Sequence, residues 1–174
     1  MQPNPTAIPA DAHRSAKTSN GVAGRWCTVL FLAFTFFSYG TAMMDYFLVY
    51  PSRLIIGERE FVTYHALLEA RILPISVIPF GLLTILNALL FWFRPPNLPV
   101  GYVWASFACL VLDWLSTLFI QIPMNLQLNA GKDVALIGEV MATNWGRVVL
   151  ESGQAALALL MLLAILPKTN PDRT

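Results

Sequence analysis

Four apolar runs govern what this chain can fold into: Trp26 to Tyr50, about Leu67 to Phe93, Tyr102 to Leu126 and about Ala142 to Leu166. Crossing about 30 Å of hydrocarbon takes roughly 20 helical residues, so each run is long enough to span a bilayer. A backbone surrounded by lipid has to satisfy its own hydrogen bonds, which makes the helix the expected form of these segments. The expected fold is therefore an all-α membrane protein, a four-transmembrane-helix bundle over residues 26–166. Composition agrees, with 56% hydrophobic and 12% charged residues, against about a quarter charged in soluble domains. The lipid bilayer is the first expected partner. The lysines and arginines form no basic stripe, and nucleic acid is not expected to be one.

The connections set the topology. RPPNLPVG, between the second and third runs, is short and proline-rich, which makes those helices antiparallel neighbours. PSRLIIGEREFVTYHALLEA, between the first and second, carries charges together with Phe61, Leu68 and Ile72. It is expected to lie at the membrane surface as an amphipathic interfacial segment before Pro74 and Pro79 kink the chain into the second span. The third connection, QLNAGKDVALIGEVMAT, is long enough for a helical turn. Residues 1–25 are rich in Pro, Ala and Ser and are expected to be a disordered cytoplasmic tail, with 167–174 a short C-terminal tail. With both termini inside, Arg14, Lys17, Arg25, Arg94, Lys168 and Arg173 lie within, against Arg53, Arg59 and Lys132 outside. That asymmetry predicts a multi-pass protein of the cell membrane with cytoplasmic termini.

Polar residues inside the spans are the candidates for function. A helical residue turns about 100°, so Asn144, Arg147, Glu151 and Gln154 fall within an arc of roughly 80°. Asp113, Thr117, Gln121 and Asn125 recur every four residues on the third run, and Ser38, Thr41 and Asp45 share a face of the first. His65 and Glu69 are adjacent on the helix that leads into the second, followed by Arg71. In an up-down-up-down bundle these groups converge at one depth in the non-cytoplasmic half, with Asp113 deeper, near the midplane, and the other half reads as almost purely apolar. An ionised side chain facing lipid costs roughly 2.5 to 3.5 kcal/mol, so the residues are expected to face inward and pair. Arg147 reaches Glu151 on its own helix and Asp45, Glu69 or Asp113 on another.

Plainer readings stand beside this one. Side chains near helix ends can snorkel to the interface, Asn144 can cap its helix, and Glu69 and Arg71 can stay at the surface. Buried pairs can serve only to fix helix register. His65 and Glu69, completed by Asp45, Asp113 or Glu151, have the makings of an oxygen-rich iron or manganese site, but no Glu-x-x-His repeat accompanies them. The metal and the cofactors therefore stay open. Phosphate loops, hydrolase elbows and Ser/His/Asp sets are absent. Cys27 and Cys109 read as small apolar residues, not a redox pair.

Thr117, Gln121, Pro123, Asn125 and Leu128, followed by Asn144, Trp145 and Arg147, form a pattern that resembles small bacterial four-span membrane proteins of unknown function. Tyr64 and His65 fit the same group. More distantly the pattern is similar to the anthrone-oxygenase-like family, in which the third helix ends in Pro-x-Asn and the fourth opens with a Trp and an Arg. The resemblance implies an integral membrane protein that oxygenates or otherwise modifies a flat hydrophobic molecule such as a polyketide, quinone or pigment. It also marks departures: many of the bacterial proteins carry histidine where this chain has Asn125, and threonine where it has Val148.

Two functions follow as expectations. In an oxygenase-like enzyme, Arg147, Glu151 and His65 are the catalytic candidates, and Gln121, Asn125, Asn144, Asp113, Asp45 and Glu69 bind a hydrophobic small molecule, with the amides and the guanidinium stabilising an oxyanion. In a non-enzymatic accessory subunit, a face of small residues such as Ser152, Gly153 and Ala156 packs on other membrane subunits, and the polar stripe holds the bundle or contacts a pigment, quinone or lipid. A through-channel is disfavoured because the polar stripes stop halfway.

Overall fold

The computed structural model describes the backbone over residues 10–166 and side chains over residues 22–166. Part of the expected N-terminal tail and the whole C-terminal tail, 167–174, lie outside these residues. Seven α-helices are present: α1 (Ala10–Met44), α2 (Tyr50–Ile55), α3 (Glu58–Ile72), α4 (Ile78–Phe93), α5 (Val100–Ser116), α6 (Ile122–Gln127) and α7 (Val134–Ile165). They assemble into four rods long and apolar enough to cross a membrane, Val22–Ile55, Glu58–Phe93, Val100–Ala130 and Val134–Ile165. The expected all-α bundle is what the chain forms. Around it each rod packs on the next, α1 on α4, α4 on α5, α5 on α7 and α7 back on α1.

Three rods contain a wide π-helical turn, at Asp45–Val49, Leu73–Val77 and Thr117–Gln121. Each turn sits just before a proline, Pro51, Pro79 or Pro123. A proline in a helix has no N–H to give, and its ring strikes the carbonyl four residues back. Those carbonyls belong to Phe47, Ile75 and Phe119, the middle residue of each wide turn. Opening the turn to i→i+5 spacing removes the collision and lets the rod continue where a kink was expected.

Helical structure therefore reaches further than the sequence suggested. The first rod runs to Ile55 and the second begins at Glu58, so the connection shrinks to Ile56 and Gly57. The amphipathic segment is helical, as expected, but it is the first stretch of the second rod. Gly131, at φ 146°, supplies the left-handed residue that ends the third rod. Asp133 then caps α7 by accepting the N–H of Leu136 at 3.0 Å. Asn144 is thus no cap; it lies mid-helix and buried.

Rods of 31 to 36 residues measure about 46–54 Å, well beyond about 30 Å of hydrocarbon. The tryptophans suggest how the excess is distributed. Trp26 and Trp92 project outward at the end that carries the Arg94–Pro99 connection. At the other end Trp145 meets Tyr46, with ring centroids 5.3 Å apart. Twenty residues separate Trp26 from Tyr46 and Trp145 from Ile165, and in each case that is about 30 Å of helix. Past Tyr46 and Trp145, α2, α3, α6 and the first turns of α7 build a crown. Two cores result. One, around Phe31, Leu83, Leu90, Leu110 and Met161, fills the apolar half. The other, around Tyr50, Phe61, Leu128, Ile137 and Val140, fills the crown.

Candidate functional site

The buried residues of α7 include Ile137, Val140, Asn144, Val148, Glu151, Gln154, Ala158 and Met161, a run with steps of three and four. This is one face of a helix, and it places Asn144, Glu151 and Gln154 among core positions. On α5 the buried set Val103, Ser106, Leu110 and Asp113 has the same period. Where these faces meet, Arg147 Nε donates to Asp113 Oδ1 at 2.7 Å, Nη2 to Glu151 Oε1 at 3.4 Å and Nη1 to Asn144 Oδ1 at 3.5 Å. Asp113 and Glu151 are 1% and 6% exposed, so the group faces inward. Of the partners open to Arg147 on other helices, Asp113 is the one it takes.

Asp45 joins from the first rod. It lines, with Arg147, Glu151, Ser38, Thr41, Phe80 and Trp114, a cavity of about 60 Å³. Glu151 Oε2 and Ser38 Oγ are buried there without hydrogen-bond partners, and Asp113 Oδ2, which does not line this cavity, is buried without one as well. Thr41, Asp45, Ile72 and Ser76 also border a second cleft of about 200 Å³ between the first two rods. Its other walls are largely apolar, with Met44, Val49, Leu68 and Ile75, and its polar lining is Tyr50, Arg53 and Arg71.

The remaining candidates are in the crown, so the polar groups do not meet at a single depth. Asn125 receives Arg53 Nη1 on its Oδ1 at 2.7 Å, and its Nδ2 donates to the Gln121 carbonyl at 2.8 Å. His65 Nε2 lies 3.0 Å from the Asn125 carbonyl, while its ring stacks on Phe61 with centroids 5.7 Å apart. Gln121 Nε2 donates to Thr143 Oγ1 at 3.0 Å. Glu69 is 3.7 Å from His65 Nε2 and accepts from Asn129 at 3.3 Å at the crown surface. The crown is closed by Lys132 Nζ, which donates to the carbonyls of Leu54 and Ile56 at the end of α2.

Arg147, Asp113, Glu151, Asn144 and Asp45 thus share one site, and His65, Gln121, Asn125 and Glu69 share another. The wide turn at Thr117–Gln121 separates Asp113 from Gln121 on the same rod. Among the described residues no three His, Cys, Asp or Glu side chains are grouped so as to hold a metal ion. The pairing of His65 and Glu69 with Asp45, Asp113 or Glu151 is not formed.

Two features escaped the sequence reading. Arg53, counted there as a flanking charge, is 4% exposed and lies 4.9 Å from the Tyr50 ring centroid. Its proximity to Tyr50, one helical turn back, was the available signal. In the half read as almost purely apolar, Ser106 Oγ accepts from Asn87 Nδ2 and, at 2.7 Å, from Gln154 Nε2. All three side chains are buried. Single polar residues in leucine-rich helices carry no periodic signal, although Asn87 and Ser106 both occupy the core period of their helices.

Comparison with protein-family models, with curated proteins and with solved structures finds no match to this chain.

Proposed function

We propose that the protein is a membrane enzyme of oxygenase-like chemistry acting on a flat lipophilic molecule that carries a hydroxyl or keto group. The observation that carries this reading is the Arg147–Glu151 pair that lines the inner cavity, with Asp113 holding the guanidinium. The pair combines one guanidinium with a carboxyl oxygen that has no protein partner. About 60 Å³ admits the polar edge of a substrate but not a ring, since benzene needs a cavity of about 150 Å³. The ring body fits the adjoining cleft, whose exposed wall residues Met44, Ile72 and Ile75 face the side where lipid would lie.

In this reading Glu151 takes a proton from an activated C–H or O–H of the substrate, and Arg147 balances the enolate or phenolate oxygen that results. Asp113 is a positioning residue that holds the guanidinium in place. Dioxygen is the co-reactant: oxidation of an activated CH₂ to a carbonyl consumes one O₂ and releases one water. His65 and Asn125 brace α3 against α6 and so keep the cleft walls in position. The excess of Lys and Arg at the end carrying the termini supports a cell-membrane orientation with the crown outside.

Purified protein supplied with a panel of anthrones and quinols is expected to consume oxygen, turning an anthrone CH₂ into a carbonyl with release of water and a quinol into its quinone with release of hydrogen peroxide. Arg147→Gln and Glu151→Gln are expected to lower the rate by about 10²–10⁴-fold, the usual weight of acid–base assistance. Unchanged product formation in both variants ends the assignment.

A second reading rests on the outer face of α7. A Cβ added at Gly146 or Gly153 would meet nothing within 4 Å, and Ala156 is exposed close by. Such a face suits close helix packing in an accessory subunit of a larger complex, with the polar core then setting register. Purification in mild detergent separates the two, because a protein that runs alone yet turns over substrate leaves the subunit reading without support.

A further inference from the structure

The cleft between the first two rods holds a buried cation that the protein does not pair. Among the described residues the ion pairs are those of Arg147 with Asp113 and Glu151 and of His65 with Glu69. Arg53, 4% exposed, has no part in them. Its Nη1 is spent on the neutral amide of Asn125, its guanidinium lies against the Tyr50 ring, and its Nε is buried without a partner. A buried guanidinium surrounded by neutral groups is unfavourable until an anion joins it. Arg71 lines the same cleft from α3. One cleft of about 200 Å³ is therefore lined by two guanidinium groups and by a single carboxylate, Asp45, which it shares with the inner cavity.

The size and walls of the cleft narrow the occupant. Its volume exceeds the about 150 Å³ that holds benzene, so one substituted or fused aromatic body fits. Val49, Leu68, Ile72 and Ile75 provide apolar contact along its length. A singly charged, delocalised anion suits this setting, whereas a phosphate dianion would bring more charge into a small apolar space that already contains Asp45. A carboxylate pairs side-on with arginine through Nε–H and one terminal N–H, and Nε is the Arg53 atom without a partner.

We propose that the cleft binds an aromatic carboxylate, with its ring between the wide turn of the first rod and the Leu68–Ile75 stretch of the second and its carboxylate on Arg53, assisted by Arg71. The proposal deepens the reading above and rests on it for the ring-bearing cleft. It adds that the substrate carries an anionic group at the end remote from Arg147.

The test titrates purified protein in nanodiscs with 2-naphthoate and with its neutral counterpart 2-naphthamide, using empty nanodiscs as the blank. Naphthoate is expected to bind at least about tenfold more tightly than naphthamide, the weight of one charge-assisted hydrogen bond. Arg53→Gln is expected to abolish that preference and Arg71→Gln to reduce it. Equal affinity for the two probes in the wild type, or a preference unchanged by both substitutions, overturns the proposal. Should Arg53→Gln fail to fold, the wild-type preference and Arg71→Gln decide. Arg147→Gln separates the two claims, because it is expected to lower turnover by about 10²–10⁴-fold and to leave the naphthoate preference intact. A preference without turnover in the wild type sinks the enzyme reading alone, and turnover without a preference sinks the anionic substrate class alone.

Discussion

Arg147 Nε meets Asp113 Oδ1 at 2.7 Å, and this contact joins α7 to α5 where the apolar half of the bundle gives way to polar side chains. Removing one member of a buried ion pair leaves the other without compensation and costs about 3–5 kcal/mol. Arg147→Met would leave Asp113 and Glu151 together with no cation bonded to either, and is expected to lose that much. Asp113→Asn keeps an acceptor for Arg147 and leaves Glu151 in place, so about 1–3 kcal/mol is expected. The double change Asp113→Leu with Arg147→Met removes one carboxylate along with the cation and leaves Glu151 alone unpaired, so it should lose less than Arg147→Met by itself. Reversible unfolding in mixed detergent micelles measures all three, and strictly additive losses would show that the two residues are not coupled.

The face carrying Asn144, Glu151 and Gln154 was legible because residues on one helix keep a constant angular step, whatever packs against them. Which carboxylate Arg147 takes was not, since Asp45, Glu69 and Asp113 all fit its reach and the choice depends on distances between helices. Arg53 was hidden for a different reason. It follows Pro51, which reads as the end of a span, yet a wide turn before the proline carries the helix on and turns Arg53 inward. The prolines marked where the rods deform, but nothing in the sequence distinguished a kink from a wider turn.

Asn125 sits between α2 and the wide turn of the third rod, and its side chain has two duties. It accepts Arg53 Nη1 and donates to the Gln121 carbonyl. Asn125→Ala removes a hydrogen bond to a charged group, and the expected loss is about 1.5–3 kcal/mol. Asn125→His puts an imidazole against the guanidinium. Protonating that imidazole sets two cations side by side, so the variant should be less stable at pH 5 than at pH 8, relative to the parent at the same pH. Melting curves at the two pH values report the difference, and a variant whose deficit shrinks on acidification would contradict the placement of Arg53 beside residue 125.

Ser106 stands between two amides, its Oγ accepting one hydrogen bond from Asn87 Nδ2 and another from Gln154 Nε2. Ser106→Ala deprives both donors in a dry core, and an unmet buried donor costs about 1–3 kcal/mol. Replacing the whole set, Asn87→Leu, Ser106→Ala and Gln154→Leu, leaves no orphaned group and is expected to restore most of the loss. Thermal unfolding of the single and triple variants provides the comparison. A triple variant less stable than Ser106→Ala would mean that the layer contributes through specific packing.

The first two rods come close at Gly24, where an added Cβ would collide with the Phe93 carbonyl oxygen. Both atoms belong to backbone, so neither can rotate away, and Gly24→Ala has to part α1 from the end of α4. Overpacking of this kind costs about 1–3 kcal/mol. Gly81 is the internal control, since a Cβ there meets nothing within 4 Å. In the interior of α4, Gly81→Ala also relieves the conformational freedom of glycine, worth roughly 0.5–1 kcal/mol in favour of the helix. The two alanine variants are therefore expected to move the melting temperature in opposite directions, Gly24→Ala down and Gly81→Ala up. A neutral Gly24→Ala would place the two helices further apart than the contact between Gly24 and Phe93 requires.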